Sequence, residues 1–320
     1  MYQCRFCGFH SDNLDDFEED FQFHKGFWYP YCDGFTYFDK TDSEHSFFLL
    51  LEDKRNVSDT NYSKTVTFPT AVSPLRYPGG KSKFVSQVYE KCRMEHMKNF
   101  IEPFAGGASV GLSLLLSGNI QELWLNDLDY GIYSFFQTIK FFPEALISRI
   151  MDFNPTEKAY YESRDIVSSN YKGLDIFDAA WSLFIVNRLA FSGICKANCM
   201  KNIKARWNPK TLCKRIQNIA ACSTHIHISN INALEYIEEM YWKPDSTMFI
   251  DPPYFVKGKD LYHCYYERDD HLKLASLLDN LYKGMPGSDM IVTYDMSEYI
   301  KSIYDYPIAE TVSRKYSIAN

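Results

Sequence analysis

No stretch of eighteen consecutive apolar residues occurs anywhere in the chain, which excludes an ordinary membrane-spanning helix. The N-terminus, Met1-Tyr2-Gln3-Cys4-Arg5-Phe6-Cys7, lacks the basic-then-apolar layout of a secretory leader, so the expected compartment is the cytoplasm. In that reducing setting the nine cysteines are expected as free thiols or metal ligands, not as disulfides. Six of them (Cys92, Cys195, Cys199, Cys213, Cys222 and Cys264) fall in apolar or helical contexts and read as small buried hydrophobes. Internal repeats and low-complexity tracts are also missing. What the 320 residues do contain is ample core material, 46% hydrophobic and 17% aromatic, enough for one large domain or two modest ones.

Charge is unevenly spread. The net charge of −7 alone would argue against a nucleic-acid partner. Residues 1–60 carry 13 acids and 5 bases, however, so the acidic excess is confined to the N-terminus. Acid is absent altogether from residues 179–234, where Arg188, Lys196, Lys201, Lys204, Arg206, Lys210, Lys214 and Arg215 stand. Such a stretch is either a surface that tracks phosphates or a solvated basic face.

Three zones follow from composition. Residues 1–45 are rich in Cys, His, Phe and Asp; residues 46–73 read as a linker; from Pro74 short apolar runs alternate with helical ones, the mark of an α/β domain. Strands are predicted at Asn99–Phe104, Glu122–Leu125, His225–Ser229, Thr247–Ile250 and Met290–Thr293. Helices are predicted at Ala108–Leu116, at Asp178–Leu189 with Trp181, Leu183, Phe184, Val186 and Leu189 toward a core, and at Asp270–Leu281 with Asp269 as its cap.

The most specific motif is Asp251-Pro252-Pro253-Tyr254, directly after an apolar strand. Ligands of open α/β sheets bind at such strand ends. An exocyclic nucleobase amine is a poor nucleophile, because its lone pair is delocalised into the ring. The Asp251 carboxylate and the Pro252 carbonyl offer two fixed acceptors for its N–H groups, and Tyr254 offers a stacking face for an extruded base. The plainer reading is a proline-terminated strand entering a turn. A second motif, Glu102-Pro103-Phe104-Ala105-Gly106-Gly107, joins a strand to a helix through small residues that let backbone approach a ligand; Glu102 could balance a cationic group. Asp127, about twenty residues on, suits a ribose diol or a simple turn. Upstream, Leu75-Arg76-Tyr77-Pro78-Gly79-Gly80-Lys81 delivers one cation on a flexible loop and lacks the spacing of an NTPase phosphate loop.

From about Ser73 onward, these motifs in this order resemble the Dam-like, D12 class of adenine-specific DNA methyltransferases. The segment Val186-Asn187-Arg188-Leu189-Ala190-Phe191-Ser192-Gly193 is similar to the family's entry into its target-recognition region, and Trp207-Asn208-Pro209-Lys210 with Lys214-Arg215 fits the family pattern. The resemblance implies a Rossmann-like, seven-stranded methyltransferase sheet within residues 74–320, carrying a helical recognition insert at about 140–222. It implies S-adenosylmethionine as cofactor, held around Tyr77, Gly80, Lys81, Glu102, Phe104, Gly106, Asp127 and Asp251, with Asn230 near the cofactor's adenine. It implies double-stranded DNA as partner, read by Arg188, Lys196, Lys201, Lys204, Arg206 and Lys210, and the adenine N6 amine as target. Two departures stand out: Ile194-Cys195-Lys196 after Gly193 differs from GATC readers, and the family's last apolar strand is not found before Asn320.

The N-terminal zone, with Cys4-x2-Cys7, His24 and Cys32, looks like a small zinc-ribbon-like module whose Cys3His set would bind structural zinc; the alternative is free thiols in an aromatic cluster, and His10 is a further candidate ligand. Its acidity favours a protein partner over DNA. A methyltransferase-like module that binds without turnover, or transfer to RNA or protein, is the competing reading of the whole.

Overall fold

The computed structural model describes residues 2–3, 10–11, 66–69, 71–76, 81–82, 84–92, 97–190, 198–200, 202–256, 258–261, 263–295 and 297–304. The expected metal ligands Cys4, Cys7, His24 and Cys32 lie outside the described residues, as do Tyr77, Gly80, Lys196, Lys201 and residues 305–320. At the N-terminus β1 (Tyr2–Gln3) and β2 (His10–Ser11) pair antiparallel.

The main sheet contains β3 (Asn99–Glu102), β4 (Glu122–Asn126), β5 (Ile226–Ser229), β6 (Ser246–Ile250) and β7 (Asp289–Val292). All neighbours are parallel, in the order β5-β4-β3-β6-β7. The architecture is α/β and Rossmann-like. Of the seven strands that the resemblance implies, five are present among the described residues. Each predicted strand occurs within two residues of its expected ends; β3 stops at Glu102 because Pro103 cannot donate to a ladder.

Burial explains the strand sequences. Every residue of β6 is buried, as expected for a central strand covered on both faces. Alternate residues feed two cores: Phe100 and Phe249 point into one, while Ile101, Met248 and Ile250 point into the other. Helix α1 (Val85–Lys91) precedes β3, and α2 (Ser109–Leu116) links β3 to β4. The second core is closed by α8 (Ala233–Met240), α10 (Arg268–Lys283) and α11 (Glu298–Ile303); α9 (Gly258–Leu261) is a single turn after the tetrad. Helix α10 starts earlier than predicted. Its cap is Glu267, which forms a capping box with Asp270, and not Asp269.

Between β4 and β5 the described chain is helical: α3 (Tyr130–Phe141), α4 (Pro143–Asp152), α5 (Glu157–Ser168), α6 (Ile176–Leu189) and α7 (Pro209–Ala220). These helices do not form a core of their own. Phe135, Phe184, Trp207 and Ile216 belong to the same hydrophobic cluster as Phe100 and Leu123 of the sheet. Helix α6 was expected to bury one face, yet all of Ala179 to Leu189 is buried, because α3 and α5 both pack on it.

Candidate active site

The chain runs from β3 through α2 to β4 on one side, and returns as β6 on the other side of β3. The C-terminal ends of these strands therefore flank a topological switch point, where open α/β sheets bind ligands. A cavity open to solvent lies there. It brings together Lys81, Glu102, Phe104, Gly106, Asp127, Asp251 and Pro253 from the residues singled out in the sequence.

Glu102 closes β3 and is 3% exposed. Its Oε1 accepts the Gly111 N–H at 2.6 Å. Gly111 is needed for that approach: a Cβ there would stand 2.3 Å from Leu123 Cδ1 and 2.8 Å from Glu102 Oε1. Burial pushes the Glu102 carboxyl up to about 8, against the opposing pull of the Gly111 N–H. Asp127, just past β4, accepts the Gly106 N–H at 2.8 Å and the Asp129 N–H at 2.9 Å. Burial, then the neighbouring Asp129, raises it to about 7. The glycine turn is set by left-handed backbone at Gly106 and Ala108, both at φ 48. Two buried carboxylates that are costly to ionise thus face a cavity lined by backbone amides.

Asp251 stands at the end of β6. Its Oδ1 accepts Lys81 Nζ at 2.5 Å and Thr293 Oγ1 at 2.6 Å. Lys81 also donates to the Tyr254 hydroxyl at 3.2 Å and lies 5.1 Å from that ring's centre. The cation carried by the Leu75–Lys81 loop is therefore delivered to the tetrad. The strap before that loop is tied to α6: Asn187 accepts the Arg76 N–H and donates to the Arg76 carbonyl, both at 2.7 Å.

The motifs, in this order and at one cavity, decide the family. A model of the D12 class N6 adenine-specific DNA methyltransferases matches residues 77–318. The chain belongs to this family. It is 22% identical over 264 residues to the type II methyltransferase M.MjaIII of Methanocaldococcus jannaschii, covering 75% of this chain and 91% of that protein. It is 23% identical over 248 residues to the type II methyltransferase M.CviBI of Paramecium bursaria Chlorella virus NC1A, covering 76% of this chain and 90% of that protein.

Other expected positions of this D12 chain fall elsewhere. Asn230 does not line the cavity; its amide donates to the carbonyls of Asp127 at 2.7 Å and Leu128 at 3.1 Å and so braces the loop that does. Pro252 is buried and does not line the cavity. Arg188 is 7% exposed, and its guanidinium donates to the carbonyls of Pro74 and Arg206. Burial, with Arg76, Arg215 and Arg206 nearby, lowers its pKa to about 10. Lys204, Arg206 and Lys210 are exposed on the turn before α7 and on its first residues, outside the cavity lining. Among the described residues no cluster of His, Cys, Asp and Glu is arranged to hold a metal ion. No helix among them is long and apolar enough to cross a membrane.

Several lining residues carry no motif signal: Asn232, Cys264, Tyr265 and Tyr266. Gly111 was legible as a glycine one turn into the helix that follows a glycine turn. Thr293 and the neighbouring Asp295, whose carboxylate accepts the N–H groups of Phe255 and Val256, were not.

Proposed function

We propose that this protein is a site-specific DNA adenine-N6 methyltransferase that acts on an adenine extruded from duplex DNA, in the manner of a type II modification enzyme. The observation that carries the reading is the meeting of Asp251 and Pro253 with Glu102 and Asp127 at one cavity on three adjacent strand ends. The cavity suits S-adenosylmethionine: the buried acids Glu102 and Asp127 match a ligand with a sulfonium, an ammonium and a ribose diol. Glu102, Phe104, the Gly106 turn, Asp127 and Lys81 would hold it. When bound, S-adenosylmethionine supplies an electrophilic methyl carbon.

The protein's own part is positioning and charge. Among the described residues Lys81 and Thr293 both donate to Asp251 Oδ1, which leaves Oδ2 for the substrate amine. With the Pro252 carbonyl it accepts the two N6–H groups, aims the nitrogen lone pair, and stabilises the positive charge that develops on nitrogen. Tyr254 stacks on the flipped base, and the hydrogen bond from Lys81 fixes its ring. Lys204, Arg206 and Lys210, exposed on one turn and the helix it feeds, suit phosphate contacts.

The test is expression in a host whose DNA lacks N6-methyladenine, followed by single-molecule sequencing. Methyladenine at one recurring sequence is expected. Calorimetric binding of S-adenosylmethionine with no modified adenine would replace this reading with a binding module.

A further inference from the structure

We propose that Asp295 is a positioning residue for the transfer, a clamp that sets the catalytic tetrad from its downstream side; this rests on the adenine reading above. The tetrad has an anchoring problem. Pro252 and Pro253 have no N–H groups, so the backbone between Asp251 and Tyr254 cannot be tethered through its own amides. The first amides after the two prolines are those of Tyr254, Phe255 and Val256.

Asp295 takes two of them. Its Oδ1 accepts the Phe255 N–H at 3.0 Å, and its Oδ2 accepts the Val256 N–H at 3.1 Å. Both oxygens of one carboxylate are thus spent on two successive peptide groups, and such charge-assisted bonds are about twice as strong as neutral ones. Two residues earlier, Thr293 holds the upstream side: its N–H donates to the Ile250 carbonyl at 2.9 Å and its hydroxyl to Asp251 Oδ1. Positions 293 and 295 of an extended segment point the same way. Tyr294 between them points oppositely, with its hydroxyl 3.1 Å from Nδ1 of the buried His271. The Phe255 ring is gripped as well, stacked 4.7 Å from Tyr299 and edge-on to His271 at 5.4 Å. One short segment after β7 therefore grips the tetrad at entry and exit, and both backbone hydrogen bonds of the exit grip end on Asp295. Val256, next in line, is 63% exposed, so its side chain adds little packing to the backbone bond that Asp295 makes.

The test compares Asp295→Ala and the isosteric Asp295→Asn in the full chain. Steady-state kinetics on a DNA containing the mapped site should show kcat lower by about 10²-fold in the alanine variant, the scale of a small misplacement at a reacting centre. KM for S-adenosylmethionine should stay within about twofold, since the clamp touches no residue placed around the cofactor. Asparagine keeps one acceptor and should recover about tenfold of the loss. Hydrogen exchange at the Phe255 and Val256 amides should be slow in the wild type, fast at both in the alanine variant and fast at one of them in the asparagine variant. A kcat within twofold of wild type in the alanine variant, or equal exchange at the two amides in all three proteins, overturns the proposal. So does a parallel fall in kcat, cofactor binding and melting temperature in both variants, which marks a general brace. If the alanine variant does not fold, the asparagine variant supplies the same readings. If the wild type methylates no DNA, the adenine reading fails by itself, and the exchange measurement still decides the clamp.

Discussion

The acids at the strand ends and the bases of the acid-free stretch both stand out in the sequence, and the structure treats them differently. At the cavity the charged residues sit where their place in the strand pattern put them: Glu102, Asp127 and Asp251 close three neighbouring strands and share one space. In residues 179–234 the bases divide. Lys204, Arg206, Lys210 and Lys214 are exposed, whereas Arg188 turns inward and Arg215 reaches back to the Ser73 carbonyl at 3.0 Å. The difference is geometric. A strand's end fixes which way a side chain faces, while a helix packed on all sides, as α6 is, leaves no exposed face for a base to occupy. A run of like charge therefore shows what a stretch repels, and not which of its members meet a partner.

The comparison can be tested from both sides. The largest effect belongs to the cavity: Asp251→Ala should lower kcat by about 10³-fold, as loss of a transition-state acceptor does, with cofactor affinity and folding retained. Wild-type-level transfer by a folded Asp251→Ala protein would remove the assigned role. Next is Gly111→Ala, whose new methyl would meet Leu123 and Glu102; a loss of about 2 kcal/mol is expected in urea unfolding, and unchanged stability would show that the turn yields. Arg188→Ala should cost roughly 1–3 kcal/mol, because a buried carbonyl at Pro74 and a part-buried one at Arg206 lose their donor. Its partner in the comparison, Lys204→Ala, should change stability by less than about 0.5 kcal/mol but reduce the salt slope of DNA binding by about one ion. Equal stability losses for the two would erase the distinction between inward and outward bases.

A further effect is a pH dependence. Burial holds the proton on Glu102 up to about 8, above its ordinary value of 4.5, so between those limits the folded protein binds more protons than the unfolded chain. Stability of the ligand-free protein should therefore fall as pH rises through that window. Glu102→Gln should flatten the slope of melting temperature against pH, leaving the smaller share due to Asp127, which ends near 7. In the same window, S-adenosylmethionine should bind more tightly as pH rises, since the carboxylates then carry the charge that meets its cations. An identical slope in wild type and Glu102→Gln would place the titration elsewhere.

Much of the site was legible because chemistry at strand ends leaves compact strings. Asp251-Pro252-Pro253-Tyr254 and the Glu102–Gly107 turn each lie within a few residues, and both fall at the cavity. What brace those strings come from far away: Asn187 is 111 residues from the Arg76 whose backbone it pairs with, and Asp295 is 40 residues from Phe255. Neither has a local pattern that sets it apart from a surface Asn or Asp. The early start of α10 was missed for a related reason, since Glu267 and Asp270 cap each other reciprocally and Asp269 looked equally able to cap.

By itself the sequence determined the alternation of strands and helices, the family, and the identity of the acids and prolines at the strand ends, because hydrophobic period and turn chemistry are local properties of a chain. Only the tertiary structure decided that Arg188 faces inward, that Lys81 reaches Asp251, and that Asp295 holds the loop beyond the prolines. Those contacts are set by how β7, α6 and the strap before Lys81 pack around the sheet, and packing between distant segments leaves no periodic trace in the order of residues.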